Sequence, residues 1–239
     1  MAKRKRKKNE EHIFDTEWLG LHVEAGGTEG GACLTRHESK VKPISCSHRY
    51  QGIQRAANED RTYYNGVRPG WDISANDQDK NFRENARTPY VHQAHHIVTS
   101  GGLNSTILES AKSAGSTALY NLLRAGLLEA EYNVNHKTNM IILPMEARIA
   151  AILKLPVHTR PAKGDMFHAA YSALVQKEVQ PVINDYAKLI QDSLKDKDHP
   201  PPPDKLAKAK LMRVSAKMRA LIFSWGRGAA GKSLDGAAR

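Results

Sequence analysis

The chain has 239 residues, about 40% of them apolar, a formal net charge of +11 and a pI near 9.6. That length holds one domain of ordinary size with extensions, or two small ones, and the charge predicts attraction to polyanions, either nucleic acid or an anionic membrane surface. No apolar run approaches the roughly 20 residues needed to span a bilayer. Two cysteines are too few for a disulfide framework, so a reducing compartment is the default.

The first eight residues, Met1 to Lys8, are basic and are followed by Asn9, Glu10 and Glu11 rather than an apolar stretch, so they do not read as a secretory signal. Residues 1–12 read instead as a disordered basic tail, a phosphate-contacting arm or a solubilising one in preference to a nuclear-localisation run. From Glu24 to about Asn81 the chain is rich in Gly, Asn and Asp, with few apolar residues at helical or strand spacing. Gly26-Gly27, Gly30-Gly31, Asn65-Gly66 and Pro69-Gly70 mark turns. Such a segment gains little from burial and needs another organiser. Cys33, His37, Cys46 and His48 offer one, because four thiolate and imidazole donors could hold a structural zinc ion. Their spacing, C-x3-H-x8-C-x-H, matches no common finger, and chance clustering is the competing reading. Residues 13–88 are accordingly expected to be an adaptor or a zinc-stapled region.

Periodicity strengthens after Thr88. Tyr90–Val98 alternates and predicts a strand, and Thr106–Lys112 and Thr117–Leu128 predict helices. Asn139–Leu143 predicts a short buried strand stopped by Pro144, with a helix over Met145–Lys154. A long helix should start at Asp165 as N-cap. Its stripe runs Tyr171, Val175, Val179, Val182, Tyr186 and Leu189, and Pro181 should kink or split it near Gln180. His199–Pro203 reads as a stiff spacer. Beyond it, Lys205–Trp225 predicts a basic amphipathic helix with Leu211, Val214, Met218, Leu221 and Trp225 on one face and Lys210, Arg213 and Lys217 beside them. Gly226–Arg239, rich in Gly and Ala, is expected to be mobile. The expected divisions are 1–12, 13–88, 89–198 and 199–239.

The densest chemistry lies in Tyr90-Val-His-Gln-Ala-His-His-Ile-Val98. Successive side chains on a strand point to opposite faces, so His95 and His96 do not both bind one ion easily. One can ligate while the other takes a proton from water. Asn139 follows on the second strand, and His158 and His168 come after it, the latter on the long helix. Adjacent histidines in a chain with eleven of them can arise by chance. The ordered set of His, Asn and His on strand, strand and helix carries the argument.

Ala94-His95-His96-Ile97, then Asn139-Met-Ile-Ile-Leu-Pro144, then His158 and His168-Ala-Ala-Tyr171 resemble the AHH nuclease family of the HNH/endonuclease VII superfamily. The resemblance covers roughly Tyr90 to Leu194. Met140 stands where that family usually has Gly, and His158 and His168 are farther apart than is usual there. The resemblance implies an α+β fold, helix-rich, with a small ββα-metal core. It implies that His95, His168 and His158 hold a divalent metal, Mg²⁺, Mn²⁺, Ni²⁺ or Zn²⁺, and that His96 is the general base. Asn139 would orient the base or brace the loop. Tyr171 is expected to touch substrate or water near the metal, and Lys210, Arg213 and Lys217 to contact phosphates.

A neutral imidazole with an ordinary pKa near 6.5 suits proton abstraction near neutral pH, and a divalent ion neutralises charge on a phosphodiester. The expected function is therefore a metal-dependent endonuclease acting on DNA with little sequence preference. A ribonuclease using the same His pair and a non-catalytic nucleic-acid-binding protein with a structural metal site are the alternatives. The resemblance further implies an antibacterial toxin or effector with a cognate immunity protein and a secretion-system carrier. Such a protein would be cytoplasmic in its producer and delivered to a target cell without a signal peptide.

Overall fold

Two short strands organise the molecule. β1 (His92–His96) pairs antiparallel with β2 (Met140–Pro144), placing His95 opposite Ile141 and His96 opposite Met140. The computed structural model describes residues 31–35, 46–58, 90–159, 168–195, 205–229 and 231–239. All five residues of β2 are buried. That explains its unbroken apolar run: a strand covered on both faces has no reason to alternate.

One covering element is α1 (His48–Asn58), which packs on both strands. It lies in the stretch expected to lack helical spacing. Two apolar residues, Ile53 and Ala56, suffice to bury one face, and Gly52 lets the helix approach the sheet. A Cβ there would stand 3.1 Å from Ile142 Cδ1 and 3.2 Å from the Ala94 Cβ. The preceding segment also joins the core: Leu34 is fully buried, and Cys33 forms a parallel bridge with Asn133.

The connection between the strands contains α2 (Ser100–Ser113) and α3 (Thr117–Glu129). Their starts are set by caps. Thr99 accepts from Gly102 N and Ser116 from Leu119 N, each worth about 1 kcal/mol. The Thr99 cap starts α2 six residues before the apolar periodicity does. After a 3₁₀ turn at Lys137–Asn139 and β2 comes α4 (Ala147–Leu153), ended by Lys154 in the left-handed region at φ 53°.

α5 (Ala169–Lys195) is a single helix that runs through Pro181. The expected N-cap, Asp165, lies outside the described residues. Pro181 removes one backbone donor but does not split the helix. Buried Val179, Val182 and Ile183 hold both sides of it within the core, and Gln180 Nε2 donates to Ser110 Oγ of α2 at 2.9 Å. Toward its C-terminus the buried stripe passes to Ile190, leaving Leu189 48% exposed. α3 and α5 come so close that a Cβ on Gly126 would overlap the Tyr186 hydroxyl.

α6 (Lys205–Gly228) is not an appended element. Leu211, Val214, Met218 and Ile222 are buried in the common core, with Leu221 and Trp225 packed at its margin. The last residues also depart from expectation. Instead of a mobile end they form α7 (Leu234–Ala238), anchored by the fully buried Leu234 and by a bridge between Ser233 and Val157. One apolar side chain and two backbone bonds outweigh the Gly/Ala composition. The protein is thus α+β and helix-rich around a two-stranded sheet. Among the described residues no helix is long and apolar enough to cross a membrane.

Candidate active site

Three elements deliver three imidazoles to one place. His95 comes from β1, His158 from the segment after α4, and His168 from the residue before α5. His158 is fixed by its own amide, which donates to Pro144 O at the end of β2 at 2.8 Å. His168 has φ 53°, the left-handed region that few side chains other than Gly, Asn, Asp and His enter. That turn aims the ring back from the helix start. Nε2 of His158 and Nε2 of His168 are 3.1 Å apart. The His95 ring centroid lies 5.2 Å from that of His158 and 5.3 Å from that of His168. One ligand atom from each of the three lies within 4.8 Å of the others, and all three residues are buried.

The donor set fits a divalent ion. Nitrogen ligands about 2.1 Å from a tetrahedral centre stand about 3.4 Å apart, and three protein ligands leave one position open. Ligation also needs neutral imidazole, and burial lowers the pKa of His168, partly opposed by the charge of Asp235. The longer-than-usual interval between His158 and His168 therefore does not separate them.

His96 leaves β1 on the other face. Its Nε2 meets Asn135 Oδ1 at 2.9 Å, and its ring lies 5.2 Å from that of His48. Asn135 Nδ2 donates to Thr35 O at 2.9 Å and contacts Cys33 Sγ at 3.4 Å. The amide orientation is thereby set, Oδ1 must accept, and His96 Nε2 carries the proton. The unprotonated nitrogen of His96 is then Nδ1.

Asn139 takes the bracing role of the two expected for it. Its Oδ1 accepts from Val98 N and Ser215 Oγ, both at 2.8 Å, and its Nδ2 donates to Val98 O at 2.8 Å and Val134 O at 2.7 Å. With four bonds made, the side chain locks the turn after the His pair and has no capacity left for His96. Asn135, absent from the expected site, holds the His96 ring instead. The sequence carried one available signal: two further Asn residues, 133 and 135, shortly before Asn139.

A model of a nuclease family of the HNH/endonuclease VII superfamily with conserved Ala-His-His matches residues 76–210, more than half of the chain. The chain belongs to the AHH nuclease family. Comparison with curated proteins and with solved structures returns no match. As an AHH nuclease the protein is a hydrolase that acts on nucleic acid.

Other expected site residues of this AHH nuclease find different employment. Tyr171 is fully buried, donates its hydroxyl to Ile97 O at 2.9 Å and stacks edge-on against His95 at 5.3 Å. Burial raises its pKa further. It supports the His95 ring and the strand end, and the expectation that it meets substrate is corrected. Lys210 pairs with Asp185 at 2.8 Å and Lys217 with Glu178 at 2.7 Å, fastening α6 to α5, whereas Arg213 is exposed. The charge of the two lysines is partly spent within the chain.

His37 lies outside the described residues. Cys33, Cys46 and His48 are described and buried, but they do not form a ligand group. Among the described residues, the expected zinc donors are therefore not brought together. Cys33 Sγ approaches Thr35 O at 3.3 Å, and it serves the shell around Asn135. A cavity of about 180 Å³ is lined in part by Tyr132, His136, Asn139, Lys208 and Ser215, and none of the three converging histidines lines it.

Proposed function

We propose that this AHH nuclease is a metal-dependent endonuclease that hydrolyses DNA phosphodiester bonds with little sequence preference. The convergence of His95, His158 and His168, with His96 next to His95 in the strand, carries the reading. In it the three histidines hold a divalent ion, Mg²⁺, Mn²⁺, Ni²⁺ or Zn²⁺, with imidazole ligation favouring the transition metals. The ion supplies charge neutralisation at the phosphate and help for the departing oxygen.

The protein's own groups do the rest. His96 accepts the proton of the attacking water at Nδ1, because its Nε2–H is committed to Asn135. Asn139 keeps the Val98 turn, and hence the His95–His96 pair, in place. Tyr171 fixes the His95 ring from behind. The net charge of +11 supports attraction to a phosphate backbone, with Arg213 and Lys3 to Lys8 as contacts. We read the chain further as a delivered antibacterial toxin neutralised by an immunity protein, a reading supported by the family resemblance.

The test is cleavage of plasmid DNA and of a matched RNA by the purified full chain with Mg²⁺, Mn²⁺, Zn²⁺ or chelator. Metal-dependent cutting of DNA is the expected result. Cutting of RNA alone would make it a ribonuclease, and bound metal without turnover would make the histidines a structural site.

A further inference from the structure

The family match ends at residue 210, yet the last residues of the chain grip the supports of two of the three histidines. Val157, directly before His158, is bonded on both sides: its amide donates to Lys232 O at 2.8 Å, and its carbonyl accepts from Leu234 N at 3.0 Å. One residue farther on, Asp235 Oδ1 accepts from Tyr171 N at 3.1 Å. Tyr171 stands in the first turn of α5, whose unbonded amides need acceptors, and His168 lies immediately before that helix. Residues 232–235 thus hold the backbone entering one histidine and the helix leaving the other. Leu234, between the two grips, is fully buried and fixes the segment to the core.

A chelate needs its donors held at a set separation, and partners of the ligand-bearing segments tune affinity even without touching the ion. We propose that residues 232–235 are a strap that sets the separation of His158 and His168, with Asp235 the positioning residue for His168. This rests on the reading of the three histidines as a metal site. The strap makes the C-terminal segment part of the metal centre's framework, although it contributes no ligand.

The experiment titrates the metal-free full chain with Zn²⁺ by calorimetry, comparing wild type, Asp235→Ala, Asp235→Asn and His168→Ala. Asp235→Ala should bind Zn²⁺ about 10-fold more weakly or worse, the scale of lost support behind a ligand. Asp235→Asn should fall between it and wild type, because an amide oxygen can still accept from Tyr171 N. A cap that served stability alone would lower the melting temperature of the metal-free protein and leave Zn²⁺ affinity unchanged. Unchanged affinity in Asp235→Ala, beside a loss in His168→Ala, overturns the strap and spares the metal site. Wild type that binds no Zn²⁺, Mn²⁺ or Ni²⁺ overturns the metal site itself, and the strap with it. Should Asp235→Ala fail to fold, amide exchange of wild type decides. Zn²⁺ should slow exchange at Val157, Tyr171 and Leu234 together, and no change at Leu234 overturns the proposal.

Discussion

His95, His158 and His168 are scattered over most of the nuclease region and meet, whereas Cys33, Cys46 and His48 lie close together in sequence and do not. The difference is in what carries them. Each converging histidine stands where the chain is held on both sides: a strand in a buried sheet, a segment tied to Pro144 and Lys232, and the first position before a helix bonded to Asp235. The cysteines are carried by segments that pack for other reasons. The Cys33 thiol rests against Thr35 and Asn135, and Cys46 precedes a helix aimed at the sheet. Donor atoms near each other in sequence make a site only if the backbone turns them inward together. Rigid elements do so across long intervals more reliably than turns do across short ones.

The largest expected effects break or sustain that contrast directly. His168→Ala or His95→Ala should weaken divalent-metal binding by about 10²-fold or more, exceeding the loss from removing a mere supporting group. Cys33→Ser should leave metal content and affinity as in wild type. Elemental analysis and calorimetry check both, and a metal loss in Cys33→Ser equal to that in His168→Ala would erase the contrast.

Next, His96→Ala should keep its metal and lose about 10²-fold or more in cleavage rate, the scale of a lost general base. Asn135→Ala should lower kcat about 10-fold with little change in KM, since removing one hydrogen bond at a positioned group costs about 1–1.5 kcal/mol. Equal kcat in Asn135→Ala and wild type would show that the bond to His96 is incidental.

A further buried histidine on β1 sharpens the contrast by showing what burial does without convergence. His92 Nδ1 lies 2.8 Å from Tyr90 O, and its pKa is lowered to about 4 by burial first, with Arg49 adding to the effect and the bond to Tyr90 opposing it. The unfolded chain binds a proton near pH 6.5, whereas the folded chain does so only near 4. Stability is therefore full above 6.5 and is lost as pH falls from 6.5 toward 4. The loss is up to about 3 kcal/mol, at 1.36 kcal/mol per unit. Urea midpoints between pH 7.5 and 4.5 should fall less steeply in His92→Asn than in wild type, and parallel slopes would refute this assignment.

The smallest effect concerns the lysines of α6. Lys210→Gln with Lys217→Gln should cost at most about 1 kcal/mol per pair in stability, and DNA affinity should drop less than for Arg213→Gln. Binding to a short duplex in the His96→Ala background across a salt series measures this. A larger salt-slope change for the two lysines than for Arg213 would return them to the substrate surface.

Much of this was legible in the residues. The strands around His95 and Asn139, the two helices between them and the long stripe from Tyr171 all follow from periodicity, because burial repeats with the geometry of each element. What escaped was set by single contacts without a periodic signature. α1 needs only Ile53, Ala56 and a glycine against Ile142, and α7 needs Leu234 and the Val157 bonds. In the site, the converging histidines announce themselves by chemistry. Asn135 and Asn139 do not, because an amide that locks a turn and one that holds an imidazole have identical side chains. Only their partners, Val98 and His96, distinguish them. Asp235 was hidden for the opposite reason: its partner, Tyr171 N, is a backbone atom sixty-four residues away.

The hydrogen bond from Ser215 to Asn139 bears on how this nuclease can be divided. A fragment cut where the family match stops, at residue 210, would end inside α6 and strip Leu211, Val214, Met218 and Ile222 from the core. It would also take one of the four partners from the amide that locks the histidine turn. Such a piece would carry all three converging histidines and still expose the apolar surface that those four side chains cover, a surface that invites self-association. The smallest soluble unit of this enzyme is consequently larger than its recognisable motif, and its boundary should be drawn by the packing of α6 and not by the reach of the sequence pattern.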